Sequence, residues 1–289
     1  MAWLDASQAA GAASYTREDR FLFRGAMTRF MNRQTGIWKP AGFEAALSIS
    51  TTYTPPGGRR PYDDIMFGPD GMARYKWRGT NPDHADNRAL RAALRLSLPL
   101  IWFIGSTRGR YAAEYPVYLV KEEPDQHQFA VLVNSPIPFG TTDLVYPAKE
   151  IEVAYAMRET RQRLHQAPFR AAVLDAYQCR CAVCRFGHVP LLDAAHIVAD
   201  SDGGSARVSN GLALCKMHHG AYDSGIIGIT PNLIVEVNPR ILEERDGPML
   251  VHGIQEFHEQ RLMTLPYRKA DWPDPEALRS RYELFLTAK

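Results

Sequence analysis

Two short metal-binding patterns in the C-terminal half of the chain limit its fold more than any other feature. Two residues separate Cys181 from Cys184 in CAVC, and two residues separate Cys215 from His218 in CKMH. Two such pairs supply the four ligands of a closed tetrahedral Zn²⁺ site, which is the structural type. The sequence therefore predicts a structural zinc site made by these four residues, with Cys179 as a thiol outside it.

Composition places the chain among soluble globular proteins. Its 289 residues suit two domains, and contents of 45% hydrophobic and 23% charged residues argue against a disordered or fibrous chain. The net charge of +2 means that any surface for nucleic acid must be local. No secretory pattern begins the sequence, and no apolar run approaches the ~18 residues of a membrane span. We expect a cytoplasmic protein with no membrane partner.

Patterning along the chain divides it into two parts. Residues 43–135 read mainly as strands and turns with one helix at NRALRAALRLSL, and Pro and Gly accumulate between residues 135 and 150. We predict a recognition domain over residues 1–140, a linker or helix over 141–168, and a second domain over 169–289. The arginines after the boundary form either a solvated helix face or contacts to DNA phosphates; they are Arg158, Arg161, Arg163 and Arg170.

The segment between the two metal-binding patterns holds polar residues that the zinc does not use. With His218 assigned to zinc, His196, Asn210 and His219 remain, in that order. This order resembles the HNH nuclease family, whose ββα-metal fold has two strands, a loop with the asparagine, and a helix with the last histidine. LLDAAHIV and GLALC match the strands, and KMHHGAYDSG matches the helix. The resemblance covers roughly residues 170–230 and implies a metal-dependent DNA endonuclease.

Hydrolysis of a phosphodiester explains these residue types. His196 is the predicted general base, because a histidine titrates near neutral pH and can take a proton from water. His219 is the predicted ligand of a catalytic Mg²⁺ or Mn²⁺ ion. Asn210 either binds that ion through its side-chain oxygen or orients the His196 ring. Many family members have an acidic ligand where this chain has Ala195, and Asp193 on the same strand face is expected to act there, directly or through water.

A second resemblance lies in the N-terminal part. YDDIMFGPDGMARYKWRGTN, DHADNRALRAAL and LPLIWFIGSTRGRYAAEYPVYLV are similar to the SRA domain, a PUA-like β-barrel that flips a modified cytosine. A flipped base needs aromatic rings to stack on and acceptors for its exocyclic amine. Alternatively, the aromatic residues fill the core and the aspartates cap turns. The residues predicted for the base site are Tyr62, Asp63, Asp64, Tyr75, Trp77, Arg78 and Asn87.

These observations predict an α+β protein in which a PUA/SRA-like β-barrel precedes a zinc-stabilised ββα-metal (HNH) nuclease domain. The function expected is that of a modification-dependent, type IV-like restriction endonuclease. It would flip 5-methylcytosine or 5-hydroxymethylcytosine out of double-stranded DNA, and a homodimer built by the C-terminal tail is an open expectation. Two alternatives remain at this stage. One is an HNH endonuclease or nickase reading unmodified DNA, and the other is a zinc-stabilised DNA-binding module without cleavage.

Overall fold

The computed structural model describes residues 1–23, 25–55, 67–68, 70, 72–134 and 147–287, without the side chains of residues 147–156 and 161–162. Two compact units make up the chain. The first contains Met1–Trp3 and Ser14–Pro168, and the second contains Leu4–Ala13 and Phe169–Lys289. The architecture is mixed α+β, as predicted from the sequence. Within the part of the chain that is described, no helix is both long and apolar enough to span a membrane.

Helices and strands alternate irregularly along the described residues. The α-helices are α1 (Ala2–Ala9), α2 (Ala85–Arg95), α3 (Pro147–Ala176), α4 (Lys216–Asp223), α5 (Pro239–Glu243), α6 (Pro248–Gly253) and α7 (Pro275–Thr287). The first eight strands are β1 (Arg20–Phe23), β2 (Ala26–Arg29), β3 (Ile37–Trp38), β4 (Ser48–Thr51), β5 (Ala73–Lys76), β6 (Leu100–Thr107), β7 (Arg110–Glu123) and β8 (Gln128–Val133). The remaining strands are β9 (Leu192–His196), β10 (Gly211–Cys215), β11 (Ile227–Ile229) and β12 (Val235–Val237).

A six-stranded sheet of order β3-β4-β6-β7-β8-β5 forms the first unit. Strands β4 and β6 are parallel, and the other neighbouring pairs are antiparallel. The hydroxyl of Tyr75 on edge strand β5 donates to the backbone oxygen of Gly36, 2.9 Å away and just before the opposite edge strand β3. The sheet therefore curves until its edges meet at this bond. A PUA/SRA-like barrel remains a prediction for this unit.

Burial explains the strand and helix choices in the first unit. Strand β6 is a run of β-branched and aromatic residues, and Trp102 and Phe103 within it are fully buried. Helix α2 is amphipathic, with Ala89, Leu90 and Ala93 on its buried side. These residues belong to the same hydrophobic cluster as Trp102. The helix is thereby fixed against the sheet.

The second unit is built around the antiparallel pair β9–β10 and helix α4 that follows it. These elements lie in the three segments whose sequence predicts two strands and a helix. The C-terminal part of α3 packs on the pair, and the buried hydroxyl of Tyr177 donates to the backbone oxygen of Gly211 at 3.2 Å. The hairpin β11–β12 packs with α7, where the ring of Phe285 lies against Gly228.

Gly211 marks the closest approach of α3 to the strand pair. A Cβ atom at Gly211 would lie 2.5 Å from Cγ2 of Val173 and 2.9 Å from Cζ of Phe169. Its φ of −131° is ordinary extended backbone, so the surrounding space, and not backbone conformation, requires glycine. The absence of a side chain at Gly211 therefore sets the distance between α3 and β10.

We expect Gly211→Ala to lower the free energy of unfolding by about 1–3 kcal/mol, the usual cost of overpacking a core. Gly220→Ala is the matched control, because Gly220 is exposed in α4 and nothing lies within 4 Å of its added Cβ. That change should stabilise the helix by about 0.5–1 kcal/mol. Urea unfolding followed by circular dichroism compares the variants. Wild-type stability of Gly211→Ala would contradict the packing argument.

Candidate functional site

The four predicted zinc ligands meet in one cluster. The ligand atoms of Cys181, Cys184, Cys215 and His218 all lie within 4.8 Å of one another. Nδ1 of His218 is 3.1 Å from Sγ of Cys215 and 3.6 Å from Sγ of Cys181, and the Cys184 and Cys215 sulfurs are 4.0 Å apart. One ion about 2.0–2.3 Å from each atom fits this spacing. Among the described residues no other group of three or more such side chains is as close, and Cys179 lies outside it.

The surroundings of the cluster favour metal binding. Nε2 of the fully buried His218 lies 2.9 Å from the backbone oxygen of Gly253, a bond that directs Nδ1 towards the thiols. Hydrogen bonds from Cys181 and Cys184 hold the pKa of Cys215 far below its usual value. This shift favours the thiolate of Cys215, which is the form of cysteine that binds a metal. Its donor set suits Zn²⁺.

His196 ends β9 directly opposite Gly211, the first residue of β10. Its ring stacks on Phe169 of α3, with ring centroids 3.9 Å apart and planes inclined by 16°. Burial lowers the pKa of His196, the charge of Asp200 opposes this, and the charge of His219 adds to it. Because the net shift is downward, the ring is mostly neutral at pH 7 and can accept a proton.

Asn210 closes the loop between β9 and β10. Its buried side chain accepts a hydrogen bond from the backbone N–H of Val198 at 2.9 Å and donates to the backbone oxygens of Val198 and Ser205, both at 3.0 Å. Gly204 lies in the same loop, and a Cβ there would come within 1.9 Å of the Val198 oxygen. The Gly-Gly turn and the asparagine thus shape the backbone that follows His196.

His219 lies between two carboxylates. Its Nδ1 is 3.3 Å from Oδ2 of Asp193 on β9, and its Nε2 is 3.2 Å from Oδ2 of Asp223, one turn further along α4. Lys216 also contacts Asp193, with Nζ 2.6 Å from the same oxygen. Burial raises the pKa of Asp193, but hydrogen bonds from Lys216 and His219 outweigh burial and hold the pKa below its usual value. Asp193 is therefore ionised at neutral pH.

Two residues of this site are not predicted from the sequence. Asp223 stands four residues after His219 in the predicted helix, a spacing that puts both side chains on one face and could have identified it. Lys216 follows zinc ligand Cys215 and has no comparable signal, because its contact with Asp193 depends on the packing of α4 against β9.

The arginines after the domain boundary have different contacts in the structure. Nη2 of Arg170 donates to the backbone oxygens of Val189 and Leu192 at 3.0 and 2.7 Å, which fixes the start of β9. Burial lowers the pKa of Arg170, opposed by the charge of Asp193. In the first unit Arg163 binds Glu114 at 2.8 Å, and Arg158 is exposed. Arg161 has no described side chain.

A cavity of about 410 Å³ lies where the edges of the first unit's sheet meet. Three residues predicted for base binding line it, namely Tyr75, Trp77 and Arg78. The described lining is rich in hydroxyl groups and cations and contains no carboxylate; these groups come from Thr35, Ser50, Thr51, Thr52, Thr54, Arg17 and Lys76. Predicted residues Tyr62, Asp63 and Asp64 lie outside the described residues.

Trp77 belongs both to the core and to the cavity wall. The residue is 5% exposed, its ring lies 5.2 Å from that of His127, and the Arg91 guanidinium lies 5.7 Å from its centroid. Its Nε1–H is buried and has no hydrogen-bond acceptor in the described part of the chain. An unpaired buried donor is uncommon in proteins.

Asn87 and Arg78 hold a turn together. The fully buried Asn87 accepts from the backbone N–H of Arg78 at 2.8 Å and donates to the backbone oxygens of Arg78 and Asn81 at 3.1 and 2.8 Å. The Arg78 guanidinium pairs with Asp86 at 2.8 Å. Asn87 is absent from the described cavity lining, so its observed contacts are those of a brace for the turn after β5.

Comparisons with known proteins find similar solved structures at low sequence identity. No curated protein matches the chain. Among solved structures, the modification-dependent TagI restriction endonuclease is similar at 19% identity, with 86% of this chain and 85% of that chain covered and a TM-score of 0.31. The type IV phosphorothioation-dependent restriction endonuclease ScoMcrA is similar at 15% identity, with 66% and 48% covered and a TM-score of 0.23. This chain thus spans about half of ScoMcrA.

The family comparison covers the segment that carries the site. Residues 181–230 match the HNH endonuclease family, and the match includes both metal-binding patterns and His196, Asn210 and His219. The resemblance of this segment to the HNH nuclease family is thereby confirmed. Residues 181–230 of this chain form an HNH endonuclease domain.

Proposed function

We propose that this protein is a restriction-type endonuclease that reads modified cytosine with its first unit and hydrolyses DNA with its second. The observation that carries the proposal is the arrangement within the HNH segment. A neutral His196 held on Phe169 and an Asp193–His219 pair stand on one strand pair and its following helix. A base and a metal-binding pair are the two components that metal-assisted phosphodiester hydrolysis requires.

His196 acts in this proposal as the general base. Stacking on Phe169 restricts the ring, so its free nitrogen is presented in one orientation. The lowered pKa keeps that nitrogen unprotonated at pH 7, so it can take a proton from the water that attacks phosphorus. The proton passes from the water oxygen to the imidazole as the new P–O bond forms and the P–O bond to the leaving sugar oxygen breaks.

Asp193 and His219 are the residues that would hold a catalytic divalent ion. A carboxylate oxygen and an imidazole nitrogen 3.3 Å apart suit Mg²⁺ or Mn²⁺, whose other positions water and phosphate can occupy. Asp223 accepts from the second nitrogen of His219 and fixes the ring orientation. When bound, such an ion supplies Lewis-acid stabilisation of charge on the phosphate and the leaving oxygen.

Asn210 is assigned to positioning and not to metal binding. Its side-chain oxygen and nitrogen are both engaged with loop backbone, which supports a role in holding the segment after His196. The Cys181, Cys184, Cys215 and His218 cluster is assigned to structural Zn²⁺. Because His218 and His219 are adjacent in α4, zinc would also fix the catalytic helix.

The first unit is proposed to flip a modified cytosine into its cavity. The volume of about 410 Å³ lies within the range of about 300–1,000 Å³ of small-ligand sites. Tyr75 and Trp77 line the cavity, and we assign the Nε1–H of Trp77, which has no acceptor among the described residues, as a donor to the base. Recognition of 5-methyl or 5-hydroxymethyl groups, a homodimer and a cytoplasmic location remain predictions. An enzyme that reads unmodified DNA is the competing proposal.

The zinc assignment predicts that the wild-type protein binds about one Zn²⁺ per chain. Cys181→Ser should lose the ion and lower the unfolding temperature, because metal binding contributes to folding in such sites. Cys179→Ser is the control and should keep both zinc and stability, since Cys179 lies outside the cluster. Elemental analysis with differential scanning fluorimetry measures both effects. A purified wild-type protein that contains no zinc would refute the assignment.

The general-base assignment predicts that His196→Ala cleaves plasmid DNA about 10² to 10⁴-fold more slowly in Mn²⁺, the usual contribution of a general base. DNA affinity and zinc content should stay near wild type. His252→Ala is the control, because His252 is exposed and pairs with Glu256 within one turn of chain. Cleavage by His196→Ala within a few-fold of wild type would remove His196 from the mechanism.

The cavity proposal predicts that Trp77→Phe lowers the affinity ratio of modified to unmodified duplex about 2- to 10-fold. That range corresponds to one hydrogen bond of about 0.5–1.5 kcal/mol. Phenylalanine keeps an aromatic ring in the core. Alanine would leave a core cavity, and the loss of stability would be hard to distinguish from a loss of binding. Trp272→Phe is the control in the second unit, where Nε1 donates to the Pro266 oxygen.

Duplexes carrying one central cytosine, 5-methylcytosine or 5-hydroxymethylcytosine are titrated by fluorescence anisotropy. An equal fall in affinity for all three would make Trp77 a packing residue only. Equal wild-type affinity for all three, together with cleavage of unmodified plasmid, would favour the competing proposal.

A further inference from the structure

The β1–β2 hairpin exposes large apolar side chains. Leu22 and Met27 are direct cross-strand partners, so they lie on the same face of the hairpin. Leu22 is 65% exposed and Met27 is 61% exposed. Arg20 and Arg29 are also cross-strand partners, two residues further from the turn. They share that face because side chains alternate along a strand. This face therefore carries an apolar pair near the turn and an arginine pair further from it.

The opposite face of the hairpin anchors it to the first unit. Phe21 stacks on Phe30 with ring centroids 4.5 Å apart, and Phe23 contacts Phe43 at 5.1 Å. Two aromatic residues thus supply the packing that holds the hairpin in place. The exposure of Leu22 and Met27 has no role in that packing, and exposed apolar pairs of this kind mark contact surfaces.

The hairpin stands beside the cavity. Arg17 and Gln34 both line the cavity, and the chain between them contains the hairpin. Arg17 also donates to the backbone oxygens of Asn32 and Thr35, the latter at 3.1 Å, which joins the two ends of this segment. Both ends of the segment that carries the hairpin therefore lie in the wall of the proposed base-binding cavity.

Charge on this segment favours an anionic partner. Residues 17–33 contain five arginines and two acidic residues, although the whole chain carries only +2. Arg20 and Arg29 face one another across the strands, an arrangement that repels unless an anion lies nearby. Glu18 contacts Arg29 at 3.7 Å and Arg33 at 3.0 Å, which partly neutralises those two side chains. Arg20 is exposed and is the better placed to contact phosphate.

We propose that the β1–β2 hairpin is a DNA wedge, in which Leu22 and Met27 insert between base pairs while Arg20 and Arg29 contact phosphates. Apolar side chains inserted at a base step unstack it, and arginines beside them bind the backbone. A base that leaves the duplex for the cavity opens a gap in the stack, and the neighbouring hairpin fills it. The inference rests on the proposed function, because it takes duplex DNA as the ligand.

The test compares a Leu22→Ala, Met27→Ala double variant with a Leu96→Ala, Leu98→Ala double variant of the full chain. Leu96 and Leu98 are the matched control, being 43% and 41% exposed in the same unit and outside the hairpin. The probe is a duplex with 2-aminopurine next to a central 5-methylcytosine. Wild type and control should raise its fluorescence on binding, because 2-aminopurine brightens when it is unstacked.

The hairpin variant should bind at least about tenfold more weakly and lose the fluorescence rise, while its urea unfolding curve stays at the wild-type position. Arg20→Ala should lower the slope of log Kd against log salt by about one, as expected for one phosphate contact. That salt effect would distinguish a phosphate contact from a change in packing.

The outcomes separate the two proposals. A wild-type protein that neither binds nor cuts any duplex would contradict the proposed function itself. If wild type cuts DNA and the hairpin variant matches it in affinity and fluorescence, the wedge is refuted while the nuclease remains. If the hairpin variant instead loses a dimer in sedimentation velocity with unchanged DNA affinity, the apolar pair is an interface between copies, and the wedge is again refuted.

Discussion

The contact of the Cys181, Cys184, Cys215 and His218 ligands is the interaction on which the second unit depends. It joins the chain after α3, the end of β10 and the first turn of α4, which are the elements that position the nuclease residues. A shared metal would join these elements in addition to the hydrophobic cluster in which they already pack. The small ββα arrangement can therefore keep His196 and His219 at a fixed separation.

Close packing completes what the ligand cluster begins. Gly211 allows α3 to approach β10, and this approach brings Phe169 onto the His196 ring. The same burial that orients the ring lowers its pKa, so position and protonation state have one physical cause. Hydrogen bonds from Lys216 and His219 keep Asp193 ionised. In the proposed function, these residues supply a neutral base and a charged metal-binding pair.

In the proposed function, the first unit presents a surface for DNA although the whole chain carries a net charge of only +2. Its positive charge is concentrated in residues 17–33, next to a cavity lined by hydroxyl groups and aromatic rings. The cavity exists because the curved sheet brings Gly36 to the hydroxyl of Tyr75. In the proposed function, one local feature supplies electrostatic attraction and the other supplies discrimination between bases.

The sequence by itself determined which three cysteines and which histidine form the cluster, the order of the two strands and the helix, and the HNH assignment. Each rests on a short pattern: ligand spacing within a knuckle, alternation along a strand, or the order of three polar residues. The tertiary structure decided what those patterns do not contain. It placed Lys216 beside Asp193, turned Asn210 to the loop, directed Arg170 to the start of β9, and buried Trp77 in the cavity wall. These contacts join residues whose distances depend on how separate elements pack, and no local pattern of residue types encodes that packing.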